Sequence, residues 1–156
     1  MENKFTNKDV KQFIYSASRA TYASGDESIK VRQPDGSTTI EFAEGDFKFH
    51  DNYFGGEPYG GREVVFYQGK AIWMMVYYGF VHIEIDNTEA YSFLMEALRN
   101  TTEDVPYRGP KVFEREYWRY ENEIEGGVEK FHGTEKIYRD GTCVYEASYS
   151  GGLVDC

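Results

Sequence analysis

The chain has 156 residues, 40% of them hydrophobic and 28% charged, which suits one domain around one core. An aromatic share of 17%, with 14 Tyr and 11 Phe, excludes a disordered chain, because such chains stay open for want of hydrophobic side chains. A formal net charge of −10 repels phosphate backbones and anionic lipid, so neither direct nucleic-acid binding nor membrane binding is expected.

The opening stretch MENKFTNKDV has no apolar signal core, and no later run approaches the ~20 residues of a membrane span. Cys143 and Cys156 make no disulfide framework. A reduced, cytoplasmic protein is expected.

Thr6-Asn7-Lys8-Asp9 approximates a capping box, and Val10, Phe13, Ile14, Ala17 and Thr21 follow at helical spacing. This predicts a helix over about 7–22, stopped near Ala23-Ser24-Gly25. Residues 25–45 are polar, with a Pro34-Asp35-Gly36 turn between Ile29–Arg32 and Thr38–Phe42, as in a small hairpin or a mobile flap.

Asp46–Phe54 alternates as a strand, with Phe47, Phe49, Asp51 and Tyr53 on one face and Asp46, Lys48, His50 and Asn52 on the other. Gly55–Gly61 reads as a loop. Arg62–Tyr67 and Ala71–Tyr78 form a hairpin about Gln68-Gly69. Ile72–Tyr78 is apolar on both faces, which predicts a central strand covered on both sides. Phe80–Ile85 continues extended, and Asp86 or Asn87 caps a second helix over about 88–100. After a loop over 101–111, Val112–Ile124 reads as one strand broken by Gly126-Gly127, and Glu135–Tyr138 and Thr142–Tyr149 form a second hairpin about Asp140-Gly141.

The two hairpins match at an offset of 72: Gly61 falls on Gly133, Glu63 on Glu135, Gly69 on Gly141, Trp73 on Tyr145 and Tyr77 on Tyr149. The expected fold is therefore α+β, with two helices packed on a curved antiparallel β-sheet built from a duplicated helix–strand–hairpin unit. It forms one domain over 1–156, with pseudo-repeats at about 7–79 and 87–151. Two such halves meet at a seam, and Trp73, Tyr77, Tyr145 and Tyr149 are its expected lining. So many tyrosines also suit an ordinary β-rich core.

Asp46, Asp51, Arg62 and Glu63 surround the glycine loop and, with Tyr53, are candidate ligand contacts. With His50 the acids could form a general acid/base set, or they could simply satisfy backbone donors of the loop. His82-Ile83-Glu84 places an imidazole and a carboxylate on one strand face, but no third ligand lies at a recognisable spacing, so no metal or cofactor is assigned. The loop lacks the Gly-Lys-Ser/Thr of a phosphate cradle, no Gly-x-Ser-x-Gly elbow is present, and Cys143 has no helix start behind it to activate the thiol. Basic residues on the first helix and at Arg108, Lys111, Arg115 and Arg119 read as solvated faces.

Glu44-Gly45-Asp46-Phe47, His50–Gly56, Gly61–Val65 and Trp73–Gly79 carry a likeness that runs from about Phe13 to Val154. They resemble a bacterial family classed as a domain of unknown function, found alone or fused behind an XRE-type helix-turn-helix domain. The resemblance implies a sensing or partner-binding module and carries over no site residue. Three functions are expected on these grounds. The first is binding of a small molecule in an aromatic cleft. The second is a hydrolase-like activity of the acids with His50. The third is an acidic inhibitor or immunity-type protein that binds a protein partner or a second copy of itself.

Overall fold

The computed structural model describes residues 4–82 and 86–155. Helix α1 (Asn7–Ala20) begins with a full capping box: the Thr6 N–H donates to the Asp9 carboxylate at 2.7 Å and the Asp9 N–H donates to the Thr6 hydroxyl at 3.1 Å. Val10, Phe13, Ile14 and Ala17 are its buried face. The helix ends slightly short of the expected 22, because Thr21 leaves helical geometry and its hydroxyl takes the Ala17 carbonyl at 2.6 Å.

The polar stretch that follows is a hairpin. Strand β1 (Val31–Arg32) pairs with β2 (Thr38–Glu44), and the Asp35 carboxylate accepts from the Ser37 N–H and hydroxyl at 2.9 and 2.6 Å. Then come β3 (Phe47–Phe54), β4 (Tyr59–Tyr67) and β5 (Lys70–Val81). Asp86 caps α2 (Asn87–Leu98) by accepting from the Thr88 N–H at 2.8 Å. The chain closes with β6 (Val112–Arg115), β7 (Trp118–Gly127), β8 (Lys130–Arg139) and β9 (Thr142–Leu153).

Among the described residues nine strands make one antiparallel sheet in the order β1-β2-β3-β4-β5-β9-β8-β7-β6. Two meanders thus meet at the β5–β9 pair, where Tyr77 lies opposite Tyr149, Trp73 opposite Leu153 and Val81 opposite Tyr145. Both helices cover the same face. The α1 side chains pack with Phe49, Val65, Trp73 and Met75, and those of α2 with Val81, Trp118, Ile137 and Tyr145.

Three expectations are corrected. Strand β5 is central but covered on one side only: Val76 and Tyr78 stay 46% and 54% exposed, since an antiparallel sheet tolerates one wet face. The expected strand Val112–Ile124 is a hairpin, because Glu116 takes a positive φ of 57° and folds Phe113 back against Tyr120. The glycines at 60 and 61 lie inside β4 instead of in a loop, whereas Gly126 and Gly127 close β7. Gly61 and Gly133 show why: a Cβ there would sit 2.6 Å from the Tyr77 hydroxyl and 2.3 Å from the Tyr149 hydroxyl. Each glycine lets the tyrosine directly opposite lie flat across its strand.

Among the described residues no helix is long and apolar enough to cross a membrane.

Candidate functional site

On the helix-covered face, the β3–β4 register places Asp51 directly opposite Glu63. Tyr77, on the next strand, donates its hydroxyl to Asp51 at 2.6 Å. Above them lies a cavity of about 380 Å³ whose walls include Tyr22, Tyr53, Tyr59, Tyr77 and Tyr91, with Lys30, Leu94 and Arg108 also on the lining. Glu57, from the loop between β3 and β4, accepts from the Tyr91 hydroxyl and from the Val81 N–H at 2.9 Å, which ties that loop to α2 beside the cavity.

Asp51 and Glu63 are 4% and 2% exposed, and Glu63 Oε2 has no hydrogen-bond partner among the described residues. Burial pushes the Asp51 carboxyl up to about 6, against the Tyr77 hydrogen bond and the charges of Arg108 and Lys30. Burial, reinforced by the neighbouring Asp51 charge, holds Glu63 well above the usual carboxylate range. Lys30 is engaged with Glu27 at 2.9 Å, on the rim.

The second half of the sheet repeats this geometry with different chemistry. Asn122 lies opposite Glu135 as Asp51 lies opposite Glu63, and the Tyr149 hydroxyl donates to Asn122 as that of Tyr77 does to Asp51. Here the space is filled. The loop before β6 drives Arg108 inward, where Nε and Nη2 donate to Glu135 at 2.9 and 2.8 Å. Glu135 also accepts from the Tyr120 hydroxyl and from that of Tyr145 at 3.4 Å. The Asn122 amide donates to the Gly109 carbonyl at 3.0 Å, and Arg108 Nη2 reaches the Tyr59 hydroxyl at 3.2 Å.

Of the nine expected contacts, Asp51, Tyr53, Glu63 and Tyr77 line the cavity. Tyr145 stands behind it, bonded to the Tyr59 hydroxyl. Tyr149 and Trp73 belong to the packed core, the indole stacking on Phe131 and Tyr107 at 5.7 and 6.0 Å. Trp73 and Tyr149 thus fill the seam that they were expected to leave open, and the cavity is lined from both halves, by Asp51, Glu63 and Tyr77 and by Tyr91, Leu94 and Arg108.

Asp46 sits exposed in the β2–β3 turn, bonded to Gln68. Arg62 and His50 line a groove on the opposite face of the sheet with Lys48, Val64 and Met74. The acid/base set of Asp46, Asp51, Glu63 and His50 is therefore not assembled. Strand parity separates His50 from Asp51 by the thickness of the sheet.

Arg108, expected on a solvated face, is 6% exposed and is the buried cation of the described residues. Tyr22, Tyr59 and Tyr91 also went unassigned in the sequence, because they come from three separate elements whose convergence is set by the sheet order.

Glu84, of the expected His82–Glu84 pair, lies outside the described residues. His82 instead meets Glu146 at 3.3 Å, and with Cys143 they place three donor atoms within 4.8 Å of one another. Lys136 approaches the same Glu146 at 3.9 Å, so this set is a partnered surface group.

A family model described as a domain of unknown function (DUF5680) matches residues 51–154, from Asp51 to the end of the β9 region. No curated protein and no solved structure matches the chain.

Proposed function

The chain belongs to the DUF5680 family, a domain of unknown function, and we propose that it binds a small molecule in the tyrosine-walled cavity over Asp51 and Glu63. The observation that carries this reading is Glu63. It is 2% exposed, it forms part of the wall of a cavity of about 380 Å³, and its Oε2 has no partner among the described residues. A buried polar group left unpaired costs about 1–3 kcal/mol. A sheet needing only stability would gain from an apolar residue there. A ligand that bonds to Glu63 recovers that cost on binding. The surrounding tyrosines supply apolar area with polar tips, the usual lining of a small-molecule pocket.

Asp51, Glu63, Tyr77 and Tyr53 are the proposed first contacts, with Tyr59 and Tyr91 completing the walls. In this role the domain is a sensing module, as its resemblance to bacterial proteins fused behind helix-turn-helix regulators implies. Duplication of a helix–strand–hairpin unit is part of the same reading. It is supported by the register shifts after Val65 and after Ile137, 72 residues apart, and by the left-handed Gln68-Gly69 and Asp140-Gly141 turns at the same offset. An acid/base alternative would have to run on Asp51 and Glu63 without His50.

Native mass spectrometry of the freshly purified protein, set against its denatured mass, tests the binding reading, together with a thermal-shift screen of metabolites. A reproducible added mass, or a melting shift that Glu63→Leu abolishes, is expected. A bare mass and a flat screen across cationic, neutral and anionic compounds would overturn it.

A further inference from the structure

The geometry points to a ligand that carries a compact cation, a guanidinium or a primary ammonium, seated against Asp51 and Glu63 as Arg108 is seated against Glu135. This rests on the cavity being a ligand site. The molecule holds two versions of one pocket floor, and one of them is already filled by the protein itself.

In the filled version a glutamate and a short polar residue face each other across two strands, with a tyrosine of the third strand bonded to the short residue. What completes it is a guanidinium, which meets the glutamate with two nitrogens at 2.9 and 2.8 Å. In the open version the glutamate is kept, at Glu63, and so is the tyrosine, at Tyr77. The short residue is an acid, Asp51, in place of Asn122. The open floor therefore carries one more carboxyl group than the filled one, and no cation of the chain bonds either acid among the described residues.

Arg108 does border the cavity, but both donors that it turns towards carboxylate are used by Glu135. Lys30 is held at the rim by Glu27. An anion entering the cavity would meet two carboxyl groups. A neutral ligand would leave the second acid unexplained. A cation satisfies both acids and finds tyrosine faces around it, as the Arg108 guanidinium does at 5.6 Å from the Tyr77 ring centre.

Cation binding requires the acids to be ionised, so the complex releases protons on forming. Asp51 and Glu63 face each other, Tyr77 of β5, Tyr59 of β4, Tyr22 after α1, Lys30 before β1, and the Arg108–Glu135 pair. Of these, Asp51 is raised to about 6 and Glu63 is held well above the usual carboxylate range, with burial the leading cause in both. Affinity for a cation rises with pH as the two acids ionise.

The test is calorimetric titration of the full chain at pH 7.5 with ethylguanidinium, agmatine and butylammonium, against butyramide and butyrate as neutral and anionic controls. Cation binding at one per chain is expected, at least tenfold tighter than either control. Proton release should appear as a dependence on buffer ionisation enthalpy. Asp51→Asn should weaken the cations at least tenfold, and it should fold, since asparagine already holds this position in the other half. Circular dichroism and a cooperative melting transition of that variant, no lower than the parent's at pH 5, check that it does.

Butyramide or butyrate binding as tightly as the cations, or cation binding indifferent to Asp51→Asn, would overturn the inference and leave the pocket standing. A neutral or anionic molecule found by native mass spectrometry and displaced by Glu63→Leu would do the same. Binding of no probe, with a bare native mass, would remove the pocket reading as well.

Discussion

Asp51 makes the unliganded protein pH-sensitive. Its carboxyl is raised by burial from 3.8 to about 6, so between those values the folded state holds a proton that the unfolded chain gives up. The stability tied to that proton is complete below about 4 and is lost as pH rises through about 6. Replacing Asp51 with Asn, the residue that bonds Tyr149 in the other half, removes the loss. Asp51→Asn is expected to be more stable than the parent at pH 8 by about 1–3 kcal/mol, with the gap closing towards pH 4. Urea melts at both values check this, and a variant less stable at pH 8 would contradict it.

Arg108 predicts the opposite sign. Arg108→Met strands a fully buried Glu135, so a loss of about 3–5 kcal/mol is expected. Arg108→Met with Glu135→Gln should recover much of it in a double-mutant cycle. The pairing was unreadable in the sequence. A loop has no period to show which way a side chain points, and Glu135 lies 27 residues away on a strand reached only through the fold. Asp51, Glu63 and Tyr77 were readable, because alternation along β3, β4 and β5 puts them on one face.

Among the elements, the two hairpins with glycine turns, β4–β5 and β8–β9, were the most legible, since a turn and its flanking alternation are local. The Gln68-Gly69 and Asp140-Gly141 turns sit where expected, with φ of 49° and 82° in one and 49° and 79° in the other. The one-sided cover of β5 was not legible: which face a helix lands on depends on connections, not on the apolar run itself. Gly61 was read as loop for a similar reason: it marks Tyr77 packed across it from the neighbouring strand, as Gly133 marks Tyr149. Gly133→Ala forces the Tyr149 ring off the strand and disturbs its bond to Asn122. A cost of about 2 kcal/mol is expected, of the size of an overpacked core site. Gly141→Ala meets no atom within 4 Å and is strained only by its φ of 79°, so it should cost nearer 1 kcal/mol. Chemical-denaturation midpoints of the two variants order them, and equal losses would mean that the tyrosine yields freely.

At the scale of the whole molecule, the question is whether two meanders that share one strand pair unfold as one body. The β5–β9 ladder joins them along nine residue pairs. The loop before β6 adds contacts across the seam, with Tyr107 stacked on Trp73 at 6.0 Å and Arg108 bonded to Tyr59 at 3.2 Å. Losing the second half would thus strip Trp73 of its cover and the Tyr59 hydroxyl of its bond from Arg108. Partial unfolding exposes too much to be populated, and a single cooperative transition follows. The two tryptophans can test this, because Trp73 sits in the core under α1 and Trp118 in that under α2. Single-tryptophan variants, Trp118→Phe and Trp73→Phe, report each half separately by fluorescence. Within either variant, fluorescence and far-ultraviolet circular dichroism should give coincident urea transitions with one slope. If Trp73 fluorescence changed at a lower urea concentration than the dichroism of the same protein, the halves would unfold independently. The seam contacts of Tyr107 and Arg108 would then contribute too little to couple them.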